Sequence, residues 1–143
     1  MTVAVLRAQA PEFDVASVLD RFPDCHPDAV WLQGEQLQRQ GRHSTSGFNL
    51  TLVEDGEGTL HGPVAAARRQ LEVLAPLLAE LRQQAVPCVV DFGLFVGTAR
   101  HFTSSIHFPP DDVRWFADQG IALAVSAYPT AEEELEDSSG NLQ

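Results

Sequence analysis

PVAAARRQLEVLAPLLAELRQQ, residues 63–84, is the longest helical pattern in the chain. Val64, Ala67, Leu71, Leu74, Leu78 and Leu81 recur at steps of three and four, which places them on one face of a helix. Arg69, Glu72, Pro76, Glu80 and Gln83 fall on the opposite face. At 1.5 Å per residue the stretch forms a rod of about 33 Å. A rod of that length with one apolar stripe needs a sheet to lie on. Pro63 suits the first turn, where a missing N–H costs nothing. Pro76 sits in the middle, on the polar face, where the orphaned carbonyl of Glu72 can bond water. The expectation is one long helix kinked at Pro76; two separate helices are the alternative.

The remaining pattern supplies the sheet. Thr2–Ala8 reads as a strand that ends before Pro11, and Asp14 as the N-cap of a short helix carrying Val15, Val18, Leu19 and Phe22. Phe13 is placed to pack on Val18 as a hydrophobic staple. Ala29–Gln33 reads as a short strand with Trp31 buried, and 34–46 as a long polar loop. Phe48, Leu50 and Leu52 alternate with Asn49 and Thr51 in a strand over Gly47–Val53. Val86–Val96 is a strand with Cys88, Val90, Phe92, Leu94 and Val96 on its buried face. Phe102–Phe108 alternates too and is expected to pair with it as an antiparallel hairpin. Pro109 and Pro110 open a third helix with Asp111 and Asp112 in its first turn, Gly120 ends it, and Ile121–Tyr128 is the last strand.

The order β-α-β-β-α-β-β-α-β implies an α+β fold. It is expected to be a mostly antiparallel sheet of about five to six strands, with the kinked helix and two shorter helices on one face. Residues 1–130 are read as one domain and 131–143 as an acidic, disordered tail. The other sheet face would present Asn49, Thr51, Asp91, Thr103, Ser105, His107 and Tyr128.

Charge narrows the function. The chain has nine arginines, no lysine and twenty acids, for a net charge of −11. Five acids (Glu132, Glu133, Glu134, Glu136, Asp137) lie in the tail, leaving fifteen acids against nine arginines, or −6, in residues 1–130. Such a field repels phosphate backbones, so nucleic acid is not an expected partner, whereas a basic protein is. Met1–Arg7 lacks a basic flank followed by an apolar run, so no signal peptide is expected. No apolar run approaches the length of a membrane span. Cys25 and Cys88 fit no metal spacing and imply two reduced thiols in a cytoplasmic protein.

No motif assigns a chemistry. His101 and His107 lie about 20 Å apart on a regular strand and cannot share an ion. Cys25, His26 and Asp28 lack a fourth ligand, so neither metal nor cofactor is expected. Ser104 and Ser105 with His107 and Asp91 would meet on a flat sheet face without oxyanion donors. Gly56-Glu57-Gly58 lacks the lysine and spacing of a phosphate loop. Arg68 and Arg69 near the start of the helix could hold an anion, but more often such residues are solvated or pair with Glu72.

Several landmarks occur in a familiar order. Phe13-Asp14 opens a short helix, and Trp31 precedes Gly34-Glu35. A strand over 47–52, the Leu-rich helix, a helix entered through Pro110-Asp111 and a last strand ending at Tyr128 follow. Over residues 3–128 this layout resembles domain-of-unknown-function family 4279. The resemblance implies a small bacterial α+β domain with no established activity and no catalytic residues to transfer.

These readings lead to a non-enzymatic interaction domain, in its most concrete form an immunity-type inhibitor that plugs a basic toxin site. Asp91, Thr103, His107, Asp111 and Asp112 are the expected contacts. The alternative is a small-ligand binder or enzyme with a pocket between the long helix and the 34–46 loop, using Trp31, Glu35, Arg42 and His43. A homodimer through the sheet face or an edge strand is the third.

Overall fold

Pairing radiates from the N-terminal strand. In the computed structural model, which describes residues 2–37, 40–54, 62–97 and 105–129, β1 (Thr2–Ala10) is the middle strand of five. It is antiparallel to β3 (Ser46–Val53) on one side and β4 (Cys88–Val96) on the other. β2 (Ala29–Trp31) adds antiparallel to the outer side of β3. β5 (Ile121–Pro129) adds parallel to the outer side of β4. The order is β2-β3-β1-β4-β5. Four helices complete the described fold: α1 (Val15–Arg21), α2 (Gly62–Val73), α3 (Ala75–Gln83) and α4 (Pro110–Asp118). None is long and apolar enough to cross a membrane.

Alternation divides the sheet into two faces. Ala4, Leu6 and Ala8, Phe48, and Val90 and Phe92 are fully buried on one face. They share a core with Val15 and Val18 of α1, Val64 and Leu71 of α2, Leu77 and Leu81 of α3, and Phe116 of α4. All four helices therefore cover the same face. Val5, Arg7, Asn49, Thr51, Asp91 and Ser126 lie on the other, and are half-buried.

Local signals are realised where they are strong. The Ser17 amide donates to Asp14 Oδ1 at 3.2 Å, so Asp14 caps α1. Phe13 is buried beside that helix. Gly120, at φ +72°, follows α4 and lets the chain reverse into β5.

Three expectations need correction. The 63–84 stretch is not one long kinked helix: it breaks at Leu74 (φ −98°, ψ 20°), and α3 starts afresh with Pro76 in its first turn. A proline in a first turn forfeits no hydrogen bond, whereas mid-helix it would leave the Glu72 carbonyl unpaired. The apolar stripe survives the break because Leu77, Leu78 and Leu81 remain buried with Val64, Ala67 and Leu71. The sheet is mixed: three of its four pairings are antiparallel, but β4 takes β5 in parallel register as its outer neighbour. Residues 105–109 are not a strand. Ile106 and Phe108 turn into the helix-side core, and Phe108 meets Phe92 edge-on at 5.3 Å. Pro109 and Pro110 then start α4. The expected tail and the 98–100 turn lie outside the described residues.

One close approach governs the β2 end of the sheet. Gly47 pairs with both Gln9 and Trp31. A Cβ there would collide with the Ala8 carbonyl oxygen and stand 2.7 Å from Gln9 Cβ and 2.9 Å from Trp31 Cζ2. Only glycine lets the Trp31 ring lie across β3. Replacing glycine in a strand normally favours the fold. Gly47→Ala is nevertheless expected to destabilise the protein by about 2 kcal/mol, an overpacking cost. Urea denaturation of both proteins measures it.

Candidate functional site

β2 and the chain after it build a concavity at one edge of the sheet. Gly34, at φ +90°, turns the chain away from β2, and Gly41, at φ +89°, turns it back. Gln36 and Arg42 form a single antiparallel bridge across the turn. The Leu37 amide donates to the Gly41 carbonyl at 3.0 Å, and the His43 amide to the Glu35 carbonyl at 2.8 Å. The described residues of a segment read in sequence as a long polar loop thus pair as the arms of a small irregular hairpin. Side chains fasten it. Arg42 Nη1 donates to the Gly34 carbonyl at 2.8 Å. Glu35 Oε1 accepts the Leu32 amide at 2.5 Å. Ser46 Oγ accepts the Gln33 amide at 2.8 Å.

Trp31 forms the wall between sheet and hairpin. It is half-buried, not buried as expected, and stacks on His43 with ring centroids 5.9 Å apart and planes 21° apart. Its indole N–H donates to Thr45 Oγ1 at 3.4 Å, and Thr45 Oγ1 donates to Gln9 Oε1 at 3.1 Å. The concavity in front of this pair has a volume of about 770 Å³ and is lined by Ala29, Val30, Trp31, Glu35, Leu37 and His43 among others. Three of the four residues expected from sequence to bind a ligand therefore come together. Arg42 braces the hairpin and does not line the hollow. The pocket is not between the long helix and the loop, because no residue of α2 or α3 lines it. Val30 and Leu37 were missed in sequence. Their signal was an apolar residue on each side of a Gly-flanked polar segment, and that signal is weak.

The expected acidic contact set is dispersed. Asp91 lies on the helix-free face, where both carboxylate oxygens accept from Ser126 Oγ at 2.9 Å. Asp111 and Asp112 are on α4, which packs on the opposite face. Asp111 pairs with Arg114 at 2.8 Å. Asp112 is mostly buried against Arg68 at 3.0 Å. Arg68 also bonds Glu72 at 3.1 Å and lies over the Trp115 ring at 5.4 Å, which ties α2 to α4. His107 is exposed ahead of α4. Thr103, with Ser104 and His101, lies outside the described residues. The Ser105, His107 and Asp91 grouping has no strand pairing to assemble it.

A second, smaller hollow of about 250 Å³ lies between Cys25-His26, β3 and the end of α2. Its thiol is not poised for attack: Cys25 is buried, and desolvation raises its pKa. Among the described residues no three His, Cys, Asp or Glu side chains gather closely enough to hold a metal ion. No family model matches the chain, and no curated protein and no solved structure is similar to it.

Cys88, at the start of β4, is the more deeply affected thiol. Burial pushes it up to about 11 from the ordinary 9.0, against a smaller opposing pull from Arg82. A raised pKa means that the folded state holds the proton more tightly, so this contribution is complete below pH 9.0 and is lost as pH rises. Unfolding free energy is expected to fall by about 2 kcal/mol between pH 9 and 11. Urea denaturation across that range, repeated on Cys88→Ala, should show a flatter profile for the variant. Parallel profiles would remove the thiol as the cause.

Proposed function

We propose that the chain is a non-enzymatic protein-interaction domain, of the immunity type, that takes a basic partner on the β2 concavity. One observation carries the reading. Val30, Leu32 and Leu37 are between 36% and 48% exposed around the half-buried Trp31–His43 pair, at an open edge of the sheet. Large apolar side chains held in the open beside a tryptophan are characteristic of surfaces that a partner covers. The net charge of −11 supports a basic partner, because it raises the encounter rate with positive surfaces at low salt.

A second reading has its own support. A hollow of about 770 Å³ with an aromatic wall is within the size range of small-molecule sites, about 300–1,000 Å³. A planar ligand stacked on Trp31 would fill it.

The immobilised protein, exposed to native lysate at low and then moderate salt, tests the first reading. One basic protein should be retained at low salt and partly released as salt rises. Val30→Arg and Leu37→Arg place positive charge against a basic partner at exposed positions, so both variants should keep the wild-type circular dichroism spectrum while retention falls at least tenfold. Equal retention by both variants would refute this site. A Trp31 fluorescence change with a small aromatic ligand, without protein capture, would favour the second reading.

A further inference from the structure

We propose that two copies of the chain pair along β5, edge to edge and antiparallel, so that their sheets join into one. The surface is independent of the β2 concavity. β5 is an outer strand, and among the described residues β4 is its only neighbour. One row of its backbone N–H and C=O groups therefore faces outward. Native sheets blunt such edges with charge, an internal proline, a bulge or a very short strand. β5 has none of these. It runs nine residues, IALAVSAYP, with no charged side chain and with proline only at its last position. Its register with β4 is continuous from Cys88↔Ile121 to Val96↔Pro129. The other edge, β2, has three residues and is followed by the hairpin that carries Glu35 and Arg42.

The strand is complementary to itself. About a two-fold axis through Val125, Leu123 faces the partner's Ala127, Tyr128 faces the partner's Ala122, and Ser126 faces the partner's Ala124. Leu123 and Tyr128 each meet an alanine, and Val125 meets its own copy on the axis, so directly opposed side chains can pack across the paired strands without a charge among them. Val125 is 49% exposed and Tyr128 44%, and Val113 on the neighbouring α4 is exposed as well. A second copy is the occupant that the charge pattern favours. A basic partner drawn by the net charge would find no carboxylate on β5. The chain's own Glu132–Asp137 run is rich in residues depleted from strands. Self-pairing sets uncharged surface against uncharged surface and leaves the acids elsewhere.

Size sets the strength. An edge of about 30 Å, two layers deep, covers roughly 600 Å² per copy. A standard stable interface buries about 800 Å² per partner. The dimer should therefore be reversible and concentration-dependent, with both β2 concavities free at its far ends.

Sedimentation equilibrium of the full chain from about 1 to about 300 µM tests the pairing across the range expected for a weak interface. The average mass should climb from 15.6 kDa toward twice that value. Val125→Lys puts two like charges at the axis and should raise the dimer dissociation constant at least tenfold with the circular dichroism spectrum unchanged. A monomer mass throughout the range, or an unchanged dissociation constant in Val125→Lys, would overturn the proposal. Should that variant lose its fold, hydrogen exchange on the wild type decides. Protection of β5 amides that rises with concentration supports the pairing, and protection independent of concentration overturns it.

Discussion

Burial of one apolar seam underlies everything else in this fold. Val64, Ala67 and Leu71 of α2 and Leu77, Leu78 and Leu81 of α3 are almost wholly removed from water, together with Ala4, Leu6 and Ala8 of β1 and Val90 and Phe92 of β4. Each large member contributes about 1.5–3 kcal/mol. The alanines matter for another reason. On the central strand, where helices must come closest, Ala4 and Ala8 leave room for the leucines above them. The seam keeps every helix on one face and leaves the other face and both outer strands for contact with the surroundings.

The break at Leu74 shows which force prevails within that seam. A continuous helix would preserve the leucine spacing but strand a carbonyl opposite Pro76. Breaking the helix costs little, since the Leu74 amide still donates to the Leu71 carbonyl at 2.9 Å and Leu78 to Leu74 at 3.0 Å. At the far end, Arg68 joins Glu72, Asp112 and Trp115. That network holds α4 against α2 and so fixes where β5 begins.

The candidate site was partly legible. Trp31, Glu35 and His43 stood out as chemistry-bearing residues around glycines, and they do share one hollow. The wrong wall was assigned to it because loop geometry is invisible to periodicity. The Gln36–Arg42 bridge and the left-handed Gly34 and Gly41 turn the segment over β2 and away from the helices. The expected contact set is dispersed for a similar reason. Strand alternation sends Asp91 to the open face, as expected, whereas α4 packs on the covered face and carries Asp111 there and not at the edge of the open one.

The sequence by itself determined what depends on neighbours a few residues apart. The cap at Asp14, the alternation of β3 and β4, the glycine after α4 and the apolar stripe from Val64 to Leu81 all follow from local sterics and hydrophobic period. Tertiary structure alone decided which strand lies beside β4. Phe102–Phe108 and Ile121–Tyr128 both read as strands, and periodicity does not choose between them. Burying Ile106 and Phe108 in the core, with Phe108 against Phe92, keeps residues 105–108 out of the sheet, and the outer edge of β4 is taken by β5. Strand pairing is a long-range competition for buried apolar surface and backbone hydrogen bonds, and no local pattern records its outcome.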